Sequence, residues 1–130
     1  MRRVQEHKGS AFVLEDEPLI LLELEQMLRA LGWHVAHMSS DIDRALELAR
    51  GEAFDVAILD INVRGRTSFE VAHILHERKV PTILATGYST ELVAANCAEV
   101  VFLQKPYLQR DLAVALSQAL DEPSMNRKRA

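Results

Sequence analysis

The sequence has few of the features that would assign it to a specialised class of protein. It contains one cysteine, Cys97, so no intrachain disulfide can form, and a reducing, cytoplasmic setting is expected. The basic N-terminal residues are not followed by the apolar run of a signal peptide, and no segment has the length of a membrane span. The net charge of only −4 lacks the positive excess of a protein that coats nucleic acid.

What the sequence does contain is typical of one ordinary globular domain. The 130 residues are 48% hydrophobic and 26% charged, and this length can bury a core without disulfides or metals. We found no internal repeat and no low-complexity linker. We therefore expect one domain at residues 10–121, with polar extensions at 1–9 and 122–130 and no output domain.

Strand and helix patterns alternate along the chain. Strands are predicted at 11–14, 34–38, 54–60, 80–86 and 99–104, and helices at 17–31, 41–51, 68–79, 91–97 and 107–120. Ser40 or Asp41 is expected to cap the second helix, and Thr67 or Ser68 the third, with a loop at 61–68. Near-continuous apolar strands that alternate with helices predict an α/β fold, with a parallel sheet covered on both faces.

Charged and polar side chains follow four of the predicted strands. Glu15 and Asp16 follow the first, Asp60 ends the third, Thr86 ends the fourth, and Lys105 follows the fifth. Sites in doubly wound sheets form beyond the carboxyl ends of the strands, so these side chains are expected to converge. At about 4 Å, each pair of like charges costs roughly 4 kcal/mol at an effective dielectric of about 20. A bound divalent cation would offset that repulsion, and carboxylates suit Mg²⁺.

Four short motifs carry a resemblance to a known family. They read VLEDEP at 13–18, ILDINV at 58–63, ATG at 85–87 and QKP at 104–106. In this order and spacing the sequence resembles the receiver domain of two-component response regulators. The LATGY segment at 84–88 is similar to the F-A-T-G-x-Y segment of a stand-alone subgroup. The resemblance implies a flavodoxin-like (βα)₅ sandwich with strand order 2-1-3-4-5, and a signalling domain rather than an enzyme.

The resemblance also implies a role for each motif residue. Asp60 would be the phosphoacceptor, assisted by Lys105 and Thr86. The remaining expectations concern the metal, the phosphate and the switch: Mg²⁺ (or Mn²⁺) bound by Glu15, Asp16, Asp60 and the Asn62 backbone carbonyl; phosphate contacts from the Asn62 and Gly87 backbone; a switch pair of Thr86 and Phe102; and a cis bond before Pro106.

The resemblance implies two kinds of partner, a protein that donates the phosphoryl group and a downstream target. The donor would be a sensor histidine kinase or a histidine phosphotransfer protein, and the target another protein. No direct nucleic-acid contact and no membrane insertion are expected, and a homodimer is one option. Leu19 and Leu22 could form an apolar dock for the donor. In the alternative interpretation they pack against the last helix.

Two other functions are alternatives to the receiver. A phosphorylation-independent interaction module would need none of the acidic, hydroxyl and lysine residues, so their presence counts against it. A Mg²⁺-dependent phosphohydrolase with an aspartyl nucleophile would need a second aspartate two residues after Asp60. Position 62 is Asn, which counts against that function.

Overall fold

The computed structural model describes residues 8–87 and 100–129, with side chains as far as residue 120. The strands are β1 (Gly9–Leu14), β2 (Trp33–Ser39), β3 (Val56–Asp60), β4 (Asn62–Val63), β5 (Arg66–Thr67), β6 (Thr82–Thr86) and β7 (Val101–Gln104). The helices are α1 (Pro18–Ala30), α2 (Ile42–Gly51), α3 (Phe69–Glu77) and α4 (Gln109–Arg129). No helix in these ranges is long and apolar enough to cross a bilayer.

The main sheet has five parallel strands in the order β2-β1-β3-β6-β7. Because β4 and β5 form a separate hairpin, β6 and β7 are the fourth and fifth strands of this sheet. The predicted flavodoxin-like order 2-1-3-4-5 is therefore confirmed. The chain leaves β1 in one direction and returns to β3 on the other side, so the strand order reverses between them. The carboxyl ends of β1 and β3 consequently flank the crevice in which doubly wound folds bind ligands.

Alternating side chains of β1 show how the sheet separates two cores. Phe12 and Leu14 face the layer that contains α2 and α3, whereas Ala11 and Val13 face α1 and α4. All four side chains are fully buried. A strand that buries both faces fixes its position strongly, which holds the residues just beyond its end in a defined place.

Three helix ends follow the sequence signals closely. Pro18 lies in the first turn of α1, where a missing N–H costs nothing. The α1 helix ends before Gly32, whose φ of +96° suits glycine. Asp41 caps α2, since its carboxylate accepts a hydrogen bond from the Arg44 N–H at 2.8 Å. Glu15 and Asp16 are therefore held between a rigid strand and a well-defined helix start.

The predicted loop at 61–68 contains a hairpin that the sequence prediction missed. Asn62 pairs with Thr67 and Val63 with Arg66, around a turn at Arg64 and Gly65. Both turn residues have positive φ, 52° and 83°, which is the geometry of the tightest hairpin turns. Glycine adopts this conformation readily, but arginine does so less often, which is why the turn was not evident from the sequence.

The C-terminal helix also differs from the prediction. α4 continues to Arg129, past the predicted end at residue 120. That prediction rested on the loss of apolar periodicity, which reports packing rather than backbone conformation. The predicted helix at 91–97 lies outside the described residues.

Candidate functional site

Three carboxylates from two strands meet at the carboxyl edge of the sheet. One carboxylate oxygen from each of Glu15, Asp16 and Asp60 lies within 4.8 Å of the other two. The Lys105 Nζ, which arrives from the end of β7, lies 3.1 Å from Glu15 Oε1 and 3.4 Å from Asp60 Oδ2. The structure therefore brings together acidic and basic groups that are separated by up to 90 positions in the sequence.

Burial makes this cluster electrostatically demanding. Glu15 is only 2% exposed and Asp60 only 9%. Desolvation raises the pKa of both carboxyls, although the Lys105 ammonium acts in the opposite direction. Burial opposes the charge on Lys105, but the carboxylates of Asp60 and Glu15 outweigh it and raise the pKa of its ammonium. Three carboxylates face one ammonium, so the electrostatics of the cluster favour the binding of a further positive charge.

Backbone N–H groups orient each of the three carboxylates. Glu15 Oε2 accepts a hydrogen bond from the Glu17 N–H at 3.1 Å. Asp16 Oδ2 accepts one from the Arg64 N–H at 2.9 Å. The Asn62 N–H bonds the Asp60 carboxylate, which lowers the pKa of that carboxyl against the larger effect of burial. Each carboxylate thus has one fixed donor and further oxygen lone pairs for another ligand.

The donor set suits a hard divalent cation. The three carboxylates supply oxygen ligands, and the Asn62 backbone carbonyl follows two residues after Asp60. Mg²⁺ and Mn²⁺ prefer oxygen ligands of this kind. A cation there would also offset the repulsion between the buried carboxylates. The residues present therefore fit Mg²⁺ or Mn²⁺.

The predicted phosphate and switch residues lie along the adjoining strands. Thr86 is 1% exposed at the end of β6, and its carbonyl accepts a hydrogen bond from the Lys105 N–H at 2.8 Å. Gly87 is exposed directly after it. Phe102 is half-buried beside the core that α2 and α3 cover. The bond between Lys105 and Pro106 is cis, the isomer that the resemblance implies.

Leu19 and Leu22 lie on the surface of α1 close to the cluster. Their side chains are 76% and 49% exposed, so the alternative in which they pack against the last helix is wrong. A cavity of about 300 Å³ lies between α1 and the segment that follows β7, and Glu23 and Lys105 are among its lining residues. An exposed apolar surface therefore lies close to the charged cluster.

Sequence reasoning missed two residues that support the cluster. The Arg64 N–H holds Asp16, and the Arg64 Nε donates to the Ser40 carbonyl at 3.0 Å. Ser68 was one of the two predicted caps of α3, and it does occupy the N-cap position. Its hydroxyl, however, donates to the Asp60 carbonyl instead of capping the helix. No sequence signal indicated the contact of the Arg64 N–H with Asp16, because every residue except proline carries this donor. The role of the Ser68 hydroxyl depends on tertiary structure.

The raised pKa of Asp60 gives a prediction about stability and pH. Ionising this carboxyl destabilises the folded, metal-free protein, and the effect disappears as the pH falls through the raised pKa toward the ordinary value of 3.8. We therefore expect Asp60→Asn to be more stable than the wild type near neutral pH, and the difference to shrink on acidification. Urea unfolding in chelator, followed by the fluorescence of the single tryptophan, Trp33, measures this.

Adding Mg²⁺ is expected to narrow or reverse that difference in stability. A cation that binds the folded wild type stabilises it by mass action, whereas the variant has lost one ligand. Equal stability of the two proteins at every pH, with and without Mg²⁺, would contradict the electrostatic account of the cluster.

Comparison with known proteins decides the family. A family model described as the response regulator receiver domain matches residues 11–117. The chain belongs to this family. The relationship that the motifs predicted is therefore confirmed. Receiver domains bind Mg²⁺ at an acidic pocket, and this chain has an acidic cluster at Glu15, Asp16 and Asp60. Receiver domains are signalling domains that interact with histidine kinases or phosphotransfer proteins and with downstream targets.

Individual relatives of this receiver agree with the family assignment. It is 31% identical to the transcriptional regulatory protein PdtaR of Mycobacterium tuberculosis, over 83% of this chain and 55% of that protein. Among solved structures, SdrG from Sphingomonas melonis Fr1 is 35% identical with a TM-score of 0.75, over 85% of this chain and 95% of that one. The response regulator PhyR from Brucella abortus is 28% identical with a TM-score of 0.79, over 95% and 51%. This receiver spans about half the length of the curated relatives it matches.

Proposed function

We propose that this receiver accepts a phosphoryl group on Asp60 from a phosphohistidine, in a reaction that requires Mg²⁺. The donor is a sensor histidine kinase or a histidine phosphotransfer protein. The phosphorylated receiver then signals by a conformational switch or passes the phosphoryl group on. The observation that supports this proposal most is the position of Asp60, which lies within reach of two further carboxylates and of the Lys105 ammonium.

The transfer itself exchanges one bond to phosphorus for another. An oxygen of the ionised Asp60 carboxylate attacks phosphorus, the new P–O bond forms, and the P–N bond to the donor histidine breaks. The leaving imidazole nitrogen keeps the bonding electron pair and is protonated from solvent. The main contribution to the barrier is repulsion between the negatively charged phosphoryl oxygens and the buried carboxylates. Mg²⁺ held by Glu15, Asp16, Asp60 and the Asn62 carbonyl would supply positive charge against that cost.

The residues of this receiver share the remaining work. The Lys105 ammonium, now paired with Glu15 and Asp60, forms an ion pair with the incoming phosphoryl oxygens. The Asn62 N–H, which bonds the Asp60 carboxylate, and the exposed Gly87 N–H lie on the segments that follow β3 and β6. Preorganised donors of this kind stabilise charge that develops in the transition state.

The switch follows from the charge that phosphorylation adds. A phosphoryl group carries about −1.5 to −2 charges near neutral pH. It attracts the Thr86 hydroxyl and Lys105, which are already joined through the Lys105 N–H and the Thr86 carbonyl. Phe102 is half-buried on β7, the strand beside Thr86. It moves inward when the Thr86 hydroxyl moves toward the phosphoryl group. Phosphorylation thus shifts the population between two conformational states of the receiver around Thr86.

The extent of the functional unit is part of the same proposal. Residues 10–121 form the receiver, which works in the cytoplasm, binds a downstream protein and makes no direct contact with nucleic acid. The relatives include a transcriptional regulatory protein, but this receiver covers only 55% of it. In this proposal the phosphoryl group acts as a signal, and its loss from Asp60 is a self-catalysed hydrolysis.

The experiment that tests this function is phosphorylation by a small phosphodonor. The receiver is incubated with the donor, with Mg²⁺ or with chelator, and its intact mass is measured. One added phosphoryl group in Mg²⁺ alone is expected. No adduct with any donor would favour the phosphorylation-independent interaction module. Rapid multiple turnover of a small phosphoester would favour the phosphohydrolase.

The exposed leucines of α1 give a prediction about the protein donor. We expect Leu19→Glu and Leu22→Glu to slow phosphotransfer from phosphorylated histidine kinases of the source cell by at least about tenfold. The reason is that an apolar contact with the donor is lost and carboxylates are added beside an acidic cluster. Val114→Glu on α4, where Val114 is 57% exposed, is the matched control.

Small donors provide the discriminating measurement for these leucine variants. They do not need a protein dock, so both variants should be phosphorylated by them at the wild-type rate. Equal losses of rate with small and protein donors would show damage to the acidic cluster and contradict a docking role.

A further inference from the structure

Ser68 occupies an unusual position for a serine that begins a helix. It is completely buried, and its side chain makes no capping hydrogen bond to α3. A serine at this position normally accepts a hydrogen bond from the helix, which is worth about 1 kcal/mol. The structure forgoes that stabilisation, so the hydroxyl serves another contact.

That contact is with the backbone of the phosphoacceptor. The Ser68 Oγ donates to the Asp60 carbonyl at 2.7 Å, and the Ser68 N–H donates to the Ile61 carbonyl at 2.8 Å. The second bond extends the β4–β5 ladder by one step, so the hairpin places Ser68 directly against the end of β3. The sequence separation is eight residues, and the hairpin turn closes it.

The Asp60 carbonyl needs such a donor because the sheet ends there. β1 pairs with β3 only as far as Leu14 and Leu59. Asp60 therefore lies one residue beyond the last pair on the β1 side, where no strand follows to hold its peptide group. A buried carbonyl without a donor is costly, and a free one leaves the direction of the chain undetermined.

The direction of the chain after Asp60 matters for the chemistry. The Asn62 N–H bonds the Asp60 carboxylate, and the Asn62 carbonyl is the proposed fourth metal ligand. Both groups are set by the peptide group between Asp60 and Ile61. The Ser68 hydroxyl clamps one end of that peptide group, and the Ile61 N–H clamps the other by donating to the Ala85 carbonyl at 3.1 Å.

We propose that Ser68 is a positioning residue for the phosphorylation of Asp60. Its buried hydroxyl holds the backbone after β3, so that the Asp60 carboxylate and the Asn62 carbonyl face one cation together. The inference rests on the proposed function and deepens it. It assigns the hydroxyl a role beyond the stability of the fold. A hydroxyl-to-carbonyl hydrogen bond of the same kind, placed away from Asp60, would stabilise the fold without affecting phosphorylation.

The test compares Ser68→Ala with Thr82→Val. Thr82 is also buried, and its Oγ1 donates to the Val80 carbonyl at 2.9 Å, but at the opposite end of β6. Each variant loses one hydroxyl-to-carbonyl bond, so each should lose about 1 kcal/mol in urea unfolding. Only Ser68→Ala is expected to weaken Mg²⁺ binding in calorimetry, by about tenfold, and to lower the maximum phosphorylation rate at saturating Mg²⁺ and small donor.

The possible outcomes separate this inference from the function on which it rests. If the wild type is phosphorylated and Ser68→Ala matches Thr82→Val in both rate and Mg²⁺ affinity, the positioning role is overturned while the function stands. If the wild type is not phosphorylated, the function fails. Mg²⁺ affinity then decides the inference alone, because weaker binding in Ser68→Ala supports backbone positioning and unchanged binding overturns it.

Discussion

Asp60→Ala is expected to abolish the phosphoryl adduct that the wild type forms with a small donor and Mg²⁺. Asp60 is the only carboxylate that both ends a central strand of the described sheet and lies within 3.4 Å of the Lys105 Nζ. Alanine removes the nucleophile. Glu15 also lies close to the ammonium, at 3.1 Å, but it follows β1 instead of ending a strand. Intact-mass measurement should show no added phosphoryl group under conditions in which the wild type is fully modified.

The control for this variant is Asp43→Ala. Asp43 is an exposed carboxylate whose main contact is an ion pair with Arg66 at 3.1 Å. Its loss should leave the extent of phosphorylation unchanged. Circular dichroism and urea unfolding verify that both variants are folded. An adduct that persists in Asp60→Ala would place the nucleophile elsewhere, and Glu15 and Asp16 would be the first residues to examine.

Lys105→Met is expected to lower the maximum phosphorylation rate by about a hundredfold. Loss of a single preorganised charge-stabilising donor has effects of about this size in other active sites. Methionine keeps an unbranched apolar side chain, so the change mainly removes the charge. The rate is measured with small donor and Mg²⁺ both saturating, so that weaker binding of either cannot account for the loss.

The Mg²⁺ affinity of Lys105→Met is a second, independent test of the role of Lys105. The ammonium now lies among the carboxylates that would hold the cation, 3.1 Å from Glu15 and 3.4 Å from Asp60. Its removal should therefore strengthen Mg²⁺ binding in calorimetry while phosphorylation slows. Lys8→Met, which removes an exposed lysine just before β1, at the end of that strand away from the cluster, should change neither quantity. A rate for Lys105→Met within about twofold of the wild type would remove Lys105 from the proposed chemistry.

The architecture could be predicted because its signals are local and repeated. Apolar strands of four to seven residues alternate with amphipathic helices, and each signal requires only neighbouring residues. The cap of α2 at Asp41 and the end of α1 before Gly32 are of the same kind. Strand order came from the family resemblance, and the structure agrees with it.

The membership of the acidic cluster could also be anticipated. Glu15, Asp16, Asp60 and Lys105 each stand at the end of a predicted parallel strand, and such ends share one edge of the sheet. This reasoning gives proximity but not distances. It could not show that Lys105 pairs with Glu15 at 3.1 Å as well as with Asp60, because that depends on rotamers and burial.

Several features that escaped prediction depend on contacts between distant segments. Arg64 holds Asp16 across 48 positions, and it does so through its backbone, which carries no residue-specific signal. The prediction that Ser68 lies at the start of a helix was correct, but the prediction that its side chain caps that helix was wrong. Whether Leu19 and Leu22 were covered or exposed depended on how α4 packs against α1.

The sequence by itself determined the class of fold, the family and the residues that gather at one edge of the sheet, because periodicity and motif spacing are properties of the chain. Tertiary structure alone decided how those residues are held. The hairpin after Asp60 brings Arg64 and Ser68 back against the strand ends, and burial in the fold raises the pKa of the Glu15 and Asp60 carboxyls. Hydrogen bonds and desolvation act over a few ångströms in space, so only the folded chain specifies them.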